Sequence, residues 1–282
     1  MTTPSSAPAV PATRTAERPT YRVTGGRVLR SEWAKLWSLR STWITLGLAL
    51  FFLLLLGLVR ATTYSPGGPG LGPGGGNGGP AANAVSIALT GMKFGELALG
   101  TLGVLLTAGE YSTGLIRATL AAVPRRLPVL WSKSAIFGAV ALVVGSAGAF
   151  LAFLAGAGPL QGTDVALSLS APGVLRSLAG AGGFLALVGV LGVALGALVR
   201  SAAGGISILA AVLLLVPLLS DLLPDSLRDD ISPYLPGNAG GSMFALHQSA
   251  HALTPQAGLA VFAGWTALAL AGAAWRLART DA

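Results

Sequence analysis

Few residues of this sequence suggest chemistry, and its two histidines are the first to consider. His247 and His251 are spaced i, i+4, which places both on one face of a helix, as two metal ligands would be. The residues between them are Gln248, Ser249 and Ala250, so the glutamate of the HExxH zinc motif is missing. A third ligand would have to come from a distant aspartate, and we interpret the segment as an ordinary external loop.

Lys93 and Glu96 are the second candidate, because they lie inside a long apolar stretch. Their i, i+3 spacing places them side by side on a helix, where they can form an ion pair. Charges inside a membrane segment are costly and tend to face the interior of a helix bundle. Two interpretations stay open: a contact for substrate or gating, and a neutralised structural pair near the outer end of the segment.

Several catalytic motifs are absent from the sequence. No Gly-Lys pair occurs, so the phosphate-binding loop GxxxxGK[ST] is missing, and no LSGGQ-like stretch is found. The chain has no cysteine and no GxSxG motif. We therefore predict that the chain is not an enzyme and binds no cofactor of its own.

The Gly/Pro-rich segment Ser65–Pro80 is interpreted as an external loop of unassigned role.

Composition identifies the elements that position these residues. The 282-residue chain is 53% hydrophobic and 10% charged, with a mean hydropathy of +0.72, whereas soluble domains average about 25% charged residues. A helix needs roughly 20 apolar residues to cross a bilayer. We predict an all-α integral membrane protein with a disordered cytoplasmic tail, residues 1–26, and one membrane domain, residues 27–282. Its six predicted spans are 42–59, 84–108, 134–155, 178–199, 204–223 and 256–275.

Charge asymmetry predicts the orientation of these spans. Most of the 18 lysines and arginines fall on the side of the N-terminus, and most aspartates fall on the other side. The positive-inside rule then places both termini in the cytoplasm. We accordingly attribute the net charge of +8 to topology and not to a nucleic-acid partner.

Two segments on the predicted cytoplasmic side have sequence patterns that favour short helices. In Arg27–Arg40, leucine and tryptophan side chains fall on one helical face and mostly basic or hydroxyl side chains on the other. This pattern favours an interfacial helix, although a basic flank that orients the first span is the alternative. In Gly109–Lys133, Ser112 or Thr113 can cap a short helix that Pro124 ends. That helix suits protein docking, and a basic loop facing lipid is the alternative.

Four features carry a family resemblance: SEWAKLWSLRSTW before the first span, EYSTGLIRATLAAVPRR after the second, a lysine at the start of the third, and YLPGNAGG before the last. Together they resemble the permease subunit of actinobacterial ABC-2 type transporters. The resemblance covers most of the chain from about Arg27 onward. It implies a connecting helix over Arg27–Arg40, a cytoplasmic coupling helix within Glu110–Arg126, and an external re-entrant hairpin over Asp221–His251.

The resemblance also implies roles for particular residues and partners. The residues implied to dock an ATPase are Glu110, Tyr111, Gly114, Arg117, Arg125 and Arg126, and those of the connecting helix are Glu32, Lys35 and Arg40. A separate cytoplasmic ATPase subunit would bind ATP and Mg²⁺, and a second permease copy, identical or different, would complete the pathway. The implied function is half of an ATP-driven exporter in the plasma membrane.

Other classes of membrane protein stay open. A secondary transporter usually has internal repeats and buried carboxylates, and Glu96 is the one carboxylate available in the interior of a predicted span. A membrane anchor or sensor is a further alternative. An intramembrane serine protease needs a histidine within the bundle, whereas both histidines fall in or beside the external loop. The apolar spans favour an amphipathic or lipid-like substrate without naming it.

Overall fold

The computed structural model describes residues 24–65, 82–115, 127–220, 222–249 and 251–279. All regular secondary structure in these ranges is helical. We number the helices in chain order: α1 Gly25–Ser38, α2 Arg40–Thr62, α3 Ala84–Ser112, α4 Leu127–Ala157, α5 Val174–Val199, α6 Ala202–Ser220, α7 Asp225–Ile231, α8 Pro236–Ser242 and α9 Pro255–Arg279. A 3₁₀ turn, Leu89–Gly91, interrupts α3, and a π-helical turn, Ala211–Leu215, interrupts α6.

Six of these helices, α2 to α6 and α9, are long and apolar enough to cross a membrane. The predicted all-helical class is therefore confirmed, and the six helices indicate a multi-pass membrane protein. Each overlaps one predicted span, and the largest difference in bounds is at α4, which begins at Leu127 instead of near residue 134. Most of the predicted tail, most of the Gly/Pro-rich loop and residues 116–126 lie outside the described ranges.

Helix α5 lies at the centre of the bundle and contacts α3, α4 and α9. Its GxxxG pair allows this close approach. A methyl group added at Gly192 would overlap the carbonyl oxygen of Gly100, and one added at Gly196 would lie 2.6 Å from the carbonyl oxygen of Val104. Small residues at such contacts let helix backbones approach closely in membranes. The glycines therefore fix α3 against α5.

Helix α1 joins α2 almost without a break. Leu39 alone separates them, in an extended conformation with φ −85° and ψ 118°. The buried side of α1 consists of Val28, Glu32 and Leu36 and packs against α4. Leu29 and Trp33, two members of the predicted apolar face, are exposed. Part of the predicted apolar face of α1 thus packs against the bundle, and the rest is exposed.

Two short helices, α7 and α8, occupy the segment before α9. The backbone of α8 packs closely, since a methyl group at Gly240 would overlap the Phe184 ring of α5 and one at Gly258 of α9 would overlap the Ser242 hydroxyl. Trp265 of α9 also donates its indole N–H to the carbonyl oxygen of Tyr234, at 3.1 Å. These contacts join the segment to α5 and α9.

Candidate functional site

Four charged side chains form a closed ring of ion pairs where α1, α3 and α4 meet. The Lys35 ammonium lies 2.7 Å from Glu32 Oε1 and 3.1 Å from Glu110 Oε1. The Lys133 ammonium lies 2.7 Å from Glu32 Oε2 and 3.0 Å from Glu110 Oε1. Each lysine therefore contacts both glutamates, and the formal charges of the ring sum to zero. We call these four residues the ion-pair ring.

Local structure brings the members of the ring together from three parts of the chain. Glu32 and Lys35 share a face of α1 because they are spaced i, i+3. Glu110 lies in the last turn of α3, and Lys133 lies in the first turns of α4. Residues 116–126, between α3 and α4, are outside the described ranges. The ring thus joins α1 to both helices that flank this segment.

Burial makes the ring sensitive to the loss of its three buried members. The side chains of Glu32, Lys133 and Glu110 are 3%, 8% and 9% exposed, and that of Lys35 is 31% exposed. Removing one partner of a buried ion pair leaves the other charge uncompensated, which costs about 3–5 kcal/mol. Within the described ranges, Oε2 of Glu110 is buried without a hydrogen-bond partner. The ring is therefore nearly, but not fully, satisfied.

The electrostatics of the two α1 members follow from their neighbours. Burial disfavours the charged form of Glu32, but the Lys133 and Lys35 ammonium groups outweigh it and lower the pKa of Glu32 below its ordinary value of 4.5. Burial also disfavours charged Lys35, but its contacts with Glu32 and Glu110 raise its pKa above 10.5. Both groups are charged at neutral pH.

The other residues implied to dock an ATPase lie in varied surroundings. Tyr111 is half-buried, and the Arg200 guanidinium carbon lies 5.0 Å from the centre of its ring. Gly114 is exposed and adopts the left-handed φ of +72°, which favours glycine. Three arginines, Arg117, Arg125 and Arg126, lie outside the described ranges. Arg40, assigned to the connecting helix, is exposed at the first turn of α2.

The Lys93–Glu96 pair lies on α3, far along the helix from Glu110. The Lys93 ammonium is 3.0 Å from Glu96 Oε1, although the angles of this contact are not those of a hydrogen bond. The Glu96 side chain is 1% exposed and that of Lys93 is 44% exposed. A central membrane charge costs about 2.5–3.5 kcal/mol on insertion scales, so the pairing offsets part of a substantial penalty.

The histidines are not brought together with a set of metal ligands. His247 is exposed, and His251 Nε2 lies 3.7 Å from Asp229 Oδ2 at an exposed position. Among the residues that the structure describes, no group of three potential ligands forms a metal site.

Neither a family model nor a curated protein matches this chain.

Sequence reasoning did not assign Lys133 to the site, although Lys133 bridges both glutamates of the ion-pair ring. The available signal was its charge: a lysine near the start of an apolar span, with Glu110 near the end of the preceding span. Helices that follow each other in the chain are usually neighbours in space. Two opposite charges at the joined ends of such helices therefore favour an ion pair, and this pattern could have identified Lys133.

Proposed function

We propose that this chain is the membrane-embedded permease subunit of an ABC-2 type exporter, driven by a separate cytoplasmic ATPase. The observation that carries the proposal is the position of Lys133, which binds Glu32 of α1 and Glu110 of α3 at once. An ATP-driven permease needs a rigid connection between the surface that the ATPase moves and the helices that form the pathway. The ion-pair ring supplies such a connection.

The proposed mechanism begins at residues 116–126. Closure of the ATPase dimer on ATP displaces this segment, and the ring transmits the displacement to α1, α3 and α4 together. Because Leu39 alone joins α1 to α2, the first span moves with them. The helices then alternate between inward- and outward-open arrangements, as rigid-body switching across packed interfaces allows.

The burial of Glu110 changes the role proposed for this residue, which the resemblance implied to dock the ATPase. The Glu110 carboxylate is bound within the chain by Lys35 and Lys133, so its proposed role is to hold the connection. Docking is assigned to Arg117, Arg125 and Arg126, which offer positive charge to an acidic surface. ATP and Mg²⁺ bind at the partner subunit only.

The proposal includes the assembly and its location. A second permease copy completes the pathway, and the complex lies in the plasma membrane with both termini in the cytoplasm. The segment of α7 and α8 acts as an external re-entrant hairpin. The contact of Gly240 with Phe184 supports this assignment. In the proposed topology Val174 is the external end of α5, and Phe184 lies roughly 15 Å along the helix from it at 1.5 Å per residue. The segment therefore reaches into the bundle.

ATP hydrolysis by the reconstituted complex tests the proposal. The chain and a candidate ABC-type ATPase from the same genome are placed in lipid nanodiscs, and the rate is compared with that of the ATPase alone. Arg117→Glu should reduce the chain-dependent change in rate at least about tenfold, because it puts like charge against the docking surface. Arg60→Glu makes the same charge change in the last turn of α2, at the end of this helix that is farther from α1. It should have little effect on the rate. Equal rates for the two variants would contradict the docking role.

A further inference from the structure

Contacts with α2 define the depth of Lys93 in the bundle. The ring of Phe94 stacks on that of Phe52, with centroids 5.3 Å apart. Phe52 lies near the middle of α2, roughly 15–18 Å from either end at 1.5 Å per residue. Gly91 also packs against the backbone of Phe52 and Leu53. This part of α3 is therefore level with the centre of the first span.

Two further helices give the same depth. A methyl group at Gly95 would contact Leu185, which lies near the middle of α5, and Leu185 also packs against Gly145 in the interior of α4. The hydrocarbon core of a bilayer is about 30 Å thick, so Lys93 and Glu96 lie close to its centre. This is deeper than the outer-end position that the structural-pair interpretation assumed.

The exposed side of α3 at this depth is partly polar. Lys93 has 44% of its side chain exposed, and Thr90, Leu97 and Thr101 are half-buried on the same face. An ionisable residue at the centre of a membrane faces the bundle interior or a water-filled cavity, because contact with lipid tails is costly. We expect the face that carries Lys93 to border a polar space and not bulk lipid.

We propose that this face of α3 lines the path of an anionic amphiphile and that the ammonium of Lys93 binds its negatively charged head. The identification of the amphiphile as transported cargo rests on the proposed function. The binding site itself rests on the depth, exposure and surroundings of Lys93.

The chemistry around Lys93 selects this class of ligand. Its ammonium has three N–H donors, and Glu96 approaches from the buried side, so the charge presented at the surface is positive. Phe52 and the exposed Phe94 form an apolar pair beside it. A charged head with an apolar tail matches both features, and the hydrogen bond from a lysine to a phosphate or carboxylate is stronger than one between neutral groups.

Water access is tested first by cysteine labelling, because the chain has no cysteine of its own. Leu97→Cys places a thiol on the proposed face, and Val143→Cys places one on an exposed apolar position of α4 near Gly145. In nanodiscs, a charged, membrane-impermeant methanethiosulfonate should modify Leu97→Cys at least about tenfold faster, since only thiolate in contact with water reacts. Equal rates would mean that lipid or a second copy covers this face, which would overturn the proposal.

Binding is tested with dodecyl phosphate and the purified full chain in phosphatidylcholine nanodiscs, with empty nanodiscs as background. The double variant Lys93→Gln/Glu96→Gln removes both charges without leaving Glu96 buried and unpaired. It should weaken binding at least about tenfold, while Lys93→Arg should keep affinity within about threefold. Dodecylphosphocholine, which has the same tail and a zwitterionic head, should bind weakly and respond to neither variant.

Two results would overturn the proposal: wild-type affinity in the double variant, or equal affinity for the two amphiphiles. Phosphatidylglycerol, which is itself an anionic amphiphile, should displace dodecyl phosphate when it is added to the bilayer. No ATPase is present in these assays. Their outcome is therefore independent of whether the ATPase complex forms.

Discussion

Lys133 of α4 donates a hydrogen bond of 2.7 Å to Glu32 of α1, although the two residues lie 101 positions apart in the chain. The same ammonium donates a 3.0 Å bond to Glu110 of α3. One buried cation thus holds three helices together. This relationship makes the stability of the described helices and the proposed transmission of motion depend on the same side chain.

Lys133→Gln should destabilise the purified chain strongly. The substitution leaves Glu32 and Glu110 with Lys35 as their shared cation, and breaking a buried ion pair costs about 3–5 kcal/mol. Equilibrium unfolding in detergent micelles, followed by circular dichroism, measures the change in free energy of unfolding.

Lys35→Gln is the matched control for Lys133→Gln, because it removes the same charge from the same ring. The Lys35 side chain is more exposed than that of Lys133, so water screens its contacts more effectively. Its loss of stability should be clearly smaller. An equal or larger loss in Lys35→Gln would count against the buried bridging role of Lys133.

Acid should weaken the ion-pair ring. The pKa of Glu32 is lowered in the folded chain, so its contribution to stability is complete above its ordinary value of 4.5 and is lost as pH falls through the lowered pKa. The pKa of Lys35 is raised in the folded chain, so the contribution of Lys35 to stability is lost only as pH rises above 10.5. The free energy of unfolding, measured from about pH 6 to about pH 3, should decrease less in Glu32→Gln than in wild type. Parallel pH profiles would contradict the assignment.

The contact between α3 and α5 should not tolerate a side chain at Gly192. Gly192→Ala adds a methyl group that overlaps the carbonyl oxygen of Gly100, and such overpacking costs about 1–3 kcal/mol. Gly264→Ala on α9 is the control, since nothing lies within 4 Å of the added methyl group. Alanine favours helix more than glycine does, so this variant should match or exceed wild-type stability. Gly192→Ala with wild-type stability would refute the packing.

Single cysteines test the orientation inferred from the charge asymmetry. A cysteine at Gly72, in the predicted external loop, should react with an impermeant thiol reagent in intact cells. A cysteine at Thr280, near the C-terminus, should react only after the membrane is permeabilised. The opposite pattern would invert the topology and place the ion-pair ring on the outer side.

The sequence predicts the six long helices well because the apolar runs extend over the length that a bilayer requires. It predicts the beginning of α4 less well. Residues 127–133 include Pro128, Ser132 and Lys133, which interrupt the apolar pattern. Proline is tolerated in the first turn of a helix, where its missing N–H has no intrahelical partner. Hydropathy alone therefore places the start of this helix too late.

The ion-pair ring was only partly predictable. Glu32 and Lys35 share a helix face, and their pairing follows from local spacing. The bond from Lys133 to Glu32 joins distant parts of the chain, and no local pattern encodes it. The depth of Lys93 likewise depends on which residue of α2 lies beside Phe94. Helix packing determines both features.

Co-purification with the ATPase tests the central claim most directly. The full chain, carrying an affinity tag, is expressed with a candidate ABC-type ATPase from the same genome, extracted in detergent and separated by size. The proposal predicts that both proteins elute together in equal amounts, as two permease and two ATPase subunits require, and that Arg117→Glu reduces the yield of ATPase while Arg60→Glu does not. Elution of the wild-type chain without the ATPase would contradict the proposed function.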